Sequence, residues 1–348
     1  MECPLVPHKP HAAGNDRVWL TCDCRGDAHA SARGCTGRYY RVVDTLDWLL
    51  DSDPAIRWQA MRDLTDASPT AIAAERTRVP REGVGADILA RQGADGSWHR
   101  TDAPVWLPTL FTFLLLRATG VDRTDPTIDA AVARLEAGFR WDEEFGKKPF
   151  FEGEVEPCIN GGTLALGAYF GRPTESLALR LVGEQLNDGG WNCEAPKSTR
   201  SSYHTTICVL EGLLEYERAV GFAPQIAAAR RRGEEYLLER DLFRRRSTGE
   251  VANPAFLAFA FPPRYHYDVL RALDYLRSAG AEPDPRTADA VRVVENLRQA
   301  DGRWLLDRSH DEALALALGE SVGQPSRWNT LRALRVLRWH ERRKANAR

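Results

Sequence analysis

Two sets of residues in this sequence are of types that could do chemistry. The first lies near the N-terminus: Cys22-x-Cys24 with His29 and Cys35. Thiols and an imidazole this close together are metal-ligand types, but paired zinc cysteines usually have two residues between them, and here there is one. The other reading of this stretch is a loose N-terminal extension. The second set is spread along the chain: Cys158, Cys193 and Cys208, His204, and His266 with Asp268. Thiolate, imidazole and carboxylate suit zinc, and three such ligands leave a position open for water or substrate. Cys158 and His204 are 46 residues apart, so no local motif joins them, and only the fold can bring them together. Cys208 follows His204 by four residues, one turn along the same helix face. The plain alternative makes Cys158 and Cys208 small core residues, with His204 and His266 hydrogen-bonded at helix starts. No G-x-G-x-x-G loop, G-x-S-x-G elbow or H-E-x-x-H string occurs.

The elements that must position these residues are helices. The chain has 348 residues, 43% of them hydrophobic and 28% charged, an ordinary globular mix with enough material for a sizeable core. Lys and Arg total 47 against 49 Asp and Glu, a balance that argues against general nucleic-acid binding. The most apolar run, Val105 to Leu116, contains a proline and is too short for the roughly 20 residues of a membrane span. No apolar signal-peptide core opens the sequence, so the expected location is cytoplasmic. Seven cysteines, an odd number, then fit free thiols or metal ligands better than a disulfide frame.

Residues 1–38 show neither helical nor strand period and are expected to be a poorly structured extension. From residue 39 to 348 the text is helical. Apolar residues recur at three and four positions, as in Ile128, Ala131, Val132, Leu135 and Phe139, or Val269, Leu270, Leu273 and Leu276. Gly120, Gly171, Gly221 and Gly280 stand where helices should stop. Between helices a short signature repeats: QGADGSW at 92, QLNDGGW at 185 and RQADGRW at 298, the last with Arg298 in place of Gln. Asp-Gly makes a tight turn and the Trp can pack back across it. A second signature opens the following helices at 56, 105, 158, 203, 265 and 327, spacings of 45 to 62 residues. One helix of a pair, such as CINGGTLALGAYFG, is apolar nearly all round, whereas QIAAARRRGEEYLLER has a broad charged face. Six inner helices with outer partners predict an all-α fold, an α/α toroid, with an open solenoid as the rival.

The Q-x-x-D-G-x-W turns resemble the QW repeats of squalene–hopene cyclases, and residues 39–340 are similar in layout to the terpenoid cyclase and protein prenyltransferase superfamily of α/α toroids. DGGWNCEAPKSTRSSYHTTICVLEGLLEY, at 188–216, resembles the C-terminal part of prenyltransferase β-subunits. That resemblance implies that His204 binds a catalytic zinc. It matches Glu156-Pro157-Cys158 to the family's Asp-x-Cys ligands, with Glu in place of Asp.

The resemblance implies zinc as cofactor, held by Cys158, His204 and Glu156, with Cys193 and His266 as further candidates. Such a zinc would activate a bound thiol or water by lowering its pKa. Tyr203 and Lys197 would stand near it. The family places basic residues just ahead of its Asp-x-Cys; here FFEGEV has none, which puts diphosphate binding in doubt. Lys147 and Lys148 lie further upstream and read as surface charge, while Lys197, Arg200 and Arg264 remain as contributors. Class II cyclases use a D-x-D-D acid; the nearest run here is Asp142-Glu143-Glu144, making Asp142 the candidate acid. Trp106, Tyr203, Tyr265, Tyr267 and Trp328 adjoin the inner helices and would suit an apolar ligand, though packing in a core is the commoner fate of aromatics. The expected function is a zinc-dependent, prenyltransferase- or squalene-cyclase-like enzyme with an isoprenoid-like ligand in its central cavity. The alternative is a non-catalytic toroid binding a lipid or a protein partner.

Overall fold

A computed structural model of the chain describes residues 5–8, 19–22, 40–41 and 44–346, with side chains from 44 to 341. The chain divides into two units, 1–48 and 49–348. In the first, strands β1 (Leu5–His8), β2 (Trp19–Cys22) and β3 (Tyr40–Arg41) form an antiparallel sheet in the order β1-β2-β3. Strands β1 and β2 fall where an extension without regular structure is expected, and β3 falls just past residue 38, where the text is expected to be helical. The Cys22/Cys24/His29/Cys35 metal reading lies outside the residues with described side chains.

The helices are α1 (Thr45–Leu50), α2 (Pro54–Leu64), α3 (Pro69–Arg76), α4 (Gly83–Ala90), α5 (Trp106–Ala118), α6 (Pro126–Gly138), α7 (Pro157–Tyr169), α8 (Glu175–Gly183), α9 (Tyr203–Val220), α10 (Pro224–Leu238), α11 (Val269–Ser278), α12 (Ala288–Asn296) and α13 (Arg327–Asn346). The second unit is all-α, as the periodicity predicts. Among the described residues no helix is long and apolar enough to cross a membrane.

Six of these helices touch in cyclic order. The end of α5 meets α2, where Trp58 Nε1 donates to Thr119 O at 2.8 Å and Gln59 Nε2 to Ala118 O at 3.1 Å. Helix α5 packs on α7, and α7 on α9. Helix α9 meets α11 through the Glu211–Arg271 ion pair. Helix α11 packs on α13, and α13 returns to α2, where Arg335 donates to Gln59 Oε1 at 3.2 Å. The α7/α9 crossing is close because it is built on glycine. A Cβ on Gly161 would lie 2.4 Å from Cys208 O, and one on Gly212 would lie 2.4 Å from Gly161 O. Helices α4, α8, α10 and α12 lie against these six. The first repeat departs from the predicted pairing: two short helices, α3 and α4, stand where one partner is expected.

The repeated turns lock one helix to the next. Trp98, Trp191 and Trp304 are fully buried. Each indole N–H donates to a carbonyl near the end of the preceding helix: Ile88 O at 2.7 Å, Leu181 O at 2.6 Å and Val294 O at 2.7 Å. Each backbone N–H donates to a threonine hydroxyl on the next inner helix, Thr109, Thr206 or Thr330. Gln92 and Gln185 each donate twice, once across their own turn and once to a carbonyl of the following outer helix, Ala131 O or Ala229 O. Arg298 keeps only the bond across the turn, to Gly302 O at 3.4 Å, and lies over the Trp304 ring. Gly96 and Gly189 have φ of +79° and +98°, and a Cβ at Gly96 would strike the α6 backbone at Leu135.

Candidate functional site

A cavity of about 360 Å³ lies among the six cyclically packed helices, and every one of them contributes to its wall. Its residues sit mostly in the later turns of those helices: Arg62 on α2, Arg117 on α5, Tyr169 on α7, Glu215 and Arg218 on α9, Asp274 and Arg277 on α11. On α13 it is Trp328, Leu331, Arg332 and Arg335 near the helix start and middle that face it. Arg76 at the end of α3, Gly120 after α5, and Phe261 to Arg264 ahead of α11 also line it.

The wall is aromatic and strongly charged. Six of its residues are aromatic, among them Trp58, Phe111 and Trp328. Nine are arginines and three are acids: Glu211, Glu215 and Asp274. Each acid is committed. Glu211 accepts from Arg271 at 2.8 and 2.7 Å. Glu215 accepts from Arg117 at 2.7 Å and lies 3.5 Å from Arg218. Asp274 serves Arg277 at 2.9 Å, Arg335 at 2.8 Å and, more distantly, Arg332 at 3.8 Å. Burial alone would raise the Asp274 carboxyl, but Arg335 and Arg277 hold it well below the usual carboxylate range. Arg332 goes the other way. Its side chain is 7% exposed, and burial pulls its pKa down because Asp268 and Asp274 only partly offset the desolvation.

Glu156, Cys158 and Cys193 form a separate cluster, their ligand atoms all within 4.8 Å of one another. Cys158 opens α7, and its thiol lies 3.5 Å from Glu156 Oε2; Cys193 sits in the turn after Trp191, 3.4 Å from Thr205 Oγ1. Hydrogen bonding to Cys193, then burial, pushes the Cys158 thiol up, while the same contact pulls Cys193 down. The two sulfurs are thus coupled through this contact, and a cation held between them would take its place. Two thiols and a carboxylate match the zinc donor set, and a tetrahedral zinc with bonds near 2.3 Å holds its sulfurs about 3.8 Å apart, within the observed limit.

His204, the imidazole that the prenyltransferase resemblance assigns to this metal, is not in that cluster. Its Nδ1 accepts the Tyr267 N–H at 2.9 Å, and its ring packs edge-on against Phe256 and His266. His266 does not open α11 either. Asp268 caps that helix by accepting from Arg271 N at 2.7 Å, which leaves His266 in the preceding turn, stacked on His310 at 3.9 Å. Tyr203 donates its hydroxyl to Arg244 O, and Lys197 is exposed. Asp142, half-buried beside the Trp141–Phe150 stack, uses its backbone carbonyl to accept from Phe145 N. None of Tyr203, Lys197, Asp142, Glu156, Cys158, Cys193, His204 and His266 lines the cavity. Of the aromatics expected around a ligand, only Trp328 does. The cavity arginines, apart from Arg264, are not singled out by sequence reasoning. Their one sequence signal is recurrence of Arg late in successive inner helices, which equally fits favourable charge at helix C-termini.

The histidine group carries a pH signature. Burial, then nearby arginines, lowers His204 to about 4; burial, then His310 and His204, lowers His266 to about 3. An unfolded histidine takes its proton near pH 6.5, while these resist it in the fold, so their contribution to stability is lost as pH falls from about 6.5 toward 4. Glu154, pushed up to about 7 by burial, acts in the opposite direction over that range. Urea unfolding from pH 7 to 4 should therefore show the native protein losing stability relative to a His266→Asn variant. Parallel curves would contradict this.

No protein-family model matches the sequence, and no curated protein matches it. Among solved structures, a protein from Actinoplanes is similar over 83% of this chain and 89% of that chain, at 14% identity and a TM-score of 0.44, too distant to support an argument.

Proposed function

We propose that the chain is an α/α toroid that binds a small molecule in the cavity between its inner helices, with a zinc site at Glu156, Cys158 and Cys193, and that it acts as a transferase- or cyclase-like enzyme. The observation that carries the reading is the cavity itself: all six inner helices build its wall, and its volume falls in the usual range for ligand sites. The wall narrows the choice of ligand. Its aromatic faces suit an isoprenoid-like or other apolar body, but so many arginines do not suit a pure hydrocarbon. Zinc, when bound, would supply Lewis-acid activation of a thiol or water. Cys158 begins α7 and Tyr169, in the cavity wall, ends it, so a ligand reaching both ends would span about 16 Å along that helix. The residues of this chain would then divide the work. The arginines and aromatics would bind and orient the ligand, while the two sulfurs and Glu156 would hold the metal.

Two measurements test this. A neutral apolar dye, N-phenylnaphthylamine, should bind one per chain, and binding should be lost in Leu214→Trp, which fills the cavity. Purified protein should take up about one zinc per chain, and Cys158→Ser with Cys193→Ser should abolish it while helical circular dichroism persists. Absence of dye binding removes the ligand site; zinc uptake unchanged in the double variant removes the metal site.

A further inference from the structure

The charge of the cavity wall is not balanced from within the protein. Nine arginines line it against three acidic residues. Acids outside the wall do not close the gap. Asp63 pairs with Arg62, Glu312 with Arg264, Asp268 acts on Arg332 and Asp122 on Arg76, which brings the acids to seven against nine arginines. Arg76 has no acidic partner in the wall. It donates to Gly120 O at 2.7 Å, to Val121 O at 3.0 Å and to Tyr169 Oη at 3.3 Å, and it lies over Trp58. Arg332 donates to Ala260 O and Asn329 Oδ1. On two wall arginines, Arg117 and Arg264, the Nε is buried without a hydrogen-bond partner. Arg218 is open to solvent, its side chain 43% exposed, and donates to Ser278 Oγ at 2.8 Å, whereas Arg332 is buried, and a buried cation or an orphaned donor is costly unless something anionic meets it.

We infer that the cavity takes a small polyanion, a ligand bearing at least two phosphate or carboxylate groups, held by the guanidinium forks of Arg76, Arg117, Arg218 and Arg332. Planar guanidinium groups match the paired oxygens of both chemistries. The aromatic faces of Trp58 and Trp328 would cover the remaining, less polar part of the ligand. This site is distinct from the sulfur cluster, which stands at the other end of α7. The inference rests on the cavity being a ligand site, and it specifies what that ligand carries.

The test is calorimetric titration of the full-length protein with inorganic diphosphate and, separately, with citrate, at low and at physiological salt. Both arms use Arg76→Gln and Arg218→Gln. Neither variant strands an acid, since Glu215 keeps Arg117. At least one anion should bind, more weakly as salt rises, and each variant should bind it about tenfold less tightly. The tighter of the two anions identifies the oxyanion class. Asp274→Asn, which frees Arg332 and Arg335, should bind more tightly than the native protein. Anion binding absent from the native protein, or unchanged in both arginine variants, overturns the inference. If the neutral dye binds and neither anion does, the cavity reading stands and this inference alone falls.

Discussion

Replacing Asp274 by alanine is expected to destabilise the protein by about 3–5 kcal/mol, the usual effect of removing one partner of a buried ion pair. The carboxylate joins α11 to α13: it accepts from Arg277 on its own helix and from Arg335 on the next. The side chains of Arg335 and Arg332 are 13% and 7% exposed, so neither can turn to water when the carboxylate is gone. Arg335 would keep only Gln59 and, at 3.7 Å, Asp63. The measurement is urea unfolding, read as a shift in midpoint at unchanged slope. The exposed Arg100–Asp102 pair serves as control, since Asp102→Ala should change stability little. A pH arm adds a sign. The folded carboxyl lies below its ordinary value of 3.8, so its contribution is present above that pH and is lost as pH falls below it. The variant should therefore show a shallower acid limb. A change under about 1 kcal/mol would mean that the carboxylate does not organise the cavity wall.

Trp191→Ala is expected to remove about 3–5 kcal/mol as well, the range for deleting a buried aromatic side chain. Trp191 is fully buried, and a Cβ on Gly233 of α10 would come within 2.7 Å of its ring, so the indole fills the space between turn and outer helix. Trp191→Phe separates the two roles of this residue. It restores most of the apolar volume but leaves Leu181 O without its donor, and it should recover all but about 1–3 kcal/mol. If alanine and phenylalanine behave alike, the hydrogen bond rather than the packing is what holds the turn. A loss below about 1 kcal/mol for alanine would show that the repeated turns are connectors and not braces.

How legible these features were differs by kind. The glycine stops at 120, 171, 221 and 280 all adopt positive φ, because a helix end asks for a local conformation that glycine supplies whatever surrounds it. The D-G-x-W turns were legible for the same reason. Inner helices were readable where they are apolar all round, as in α7. On α11 and α13, which the signature at 265 and 327 also marks, the cavity-facing arginines were not readable, because their polar stripes look like solvent faces. Arg271 and Arg332 are each 6% exposed, yet an arginine facing water and one facing a cavity occupy the same position in a helical period. The predicted sulfur cluster was partly legible. Cys158, Cys193 and Glu156 do converge, while His204 is turned toward the Tyr267 amide by a hydrogen bond across 63 residues.

By itself, then, the order of residues determined the helices, their stops and the recurring braced turns, because each depends on contacts a few positions away. What tertiary structure alone decided is which charges meet. The cyclic contact of six helices sets arginines from α2, α5, α9, α11 and α13 around one cavity, where they outnumber the acids. Coulombic energy depends on distance in space and on the surrounding dielectric, and neither quantity is written in the spacing of residues along a chain.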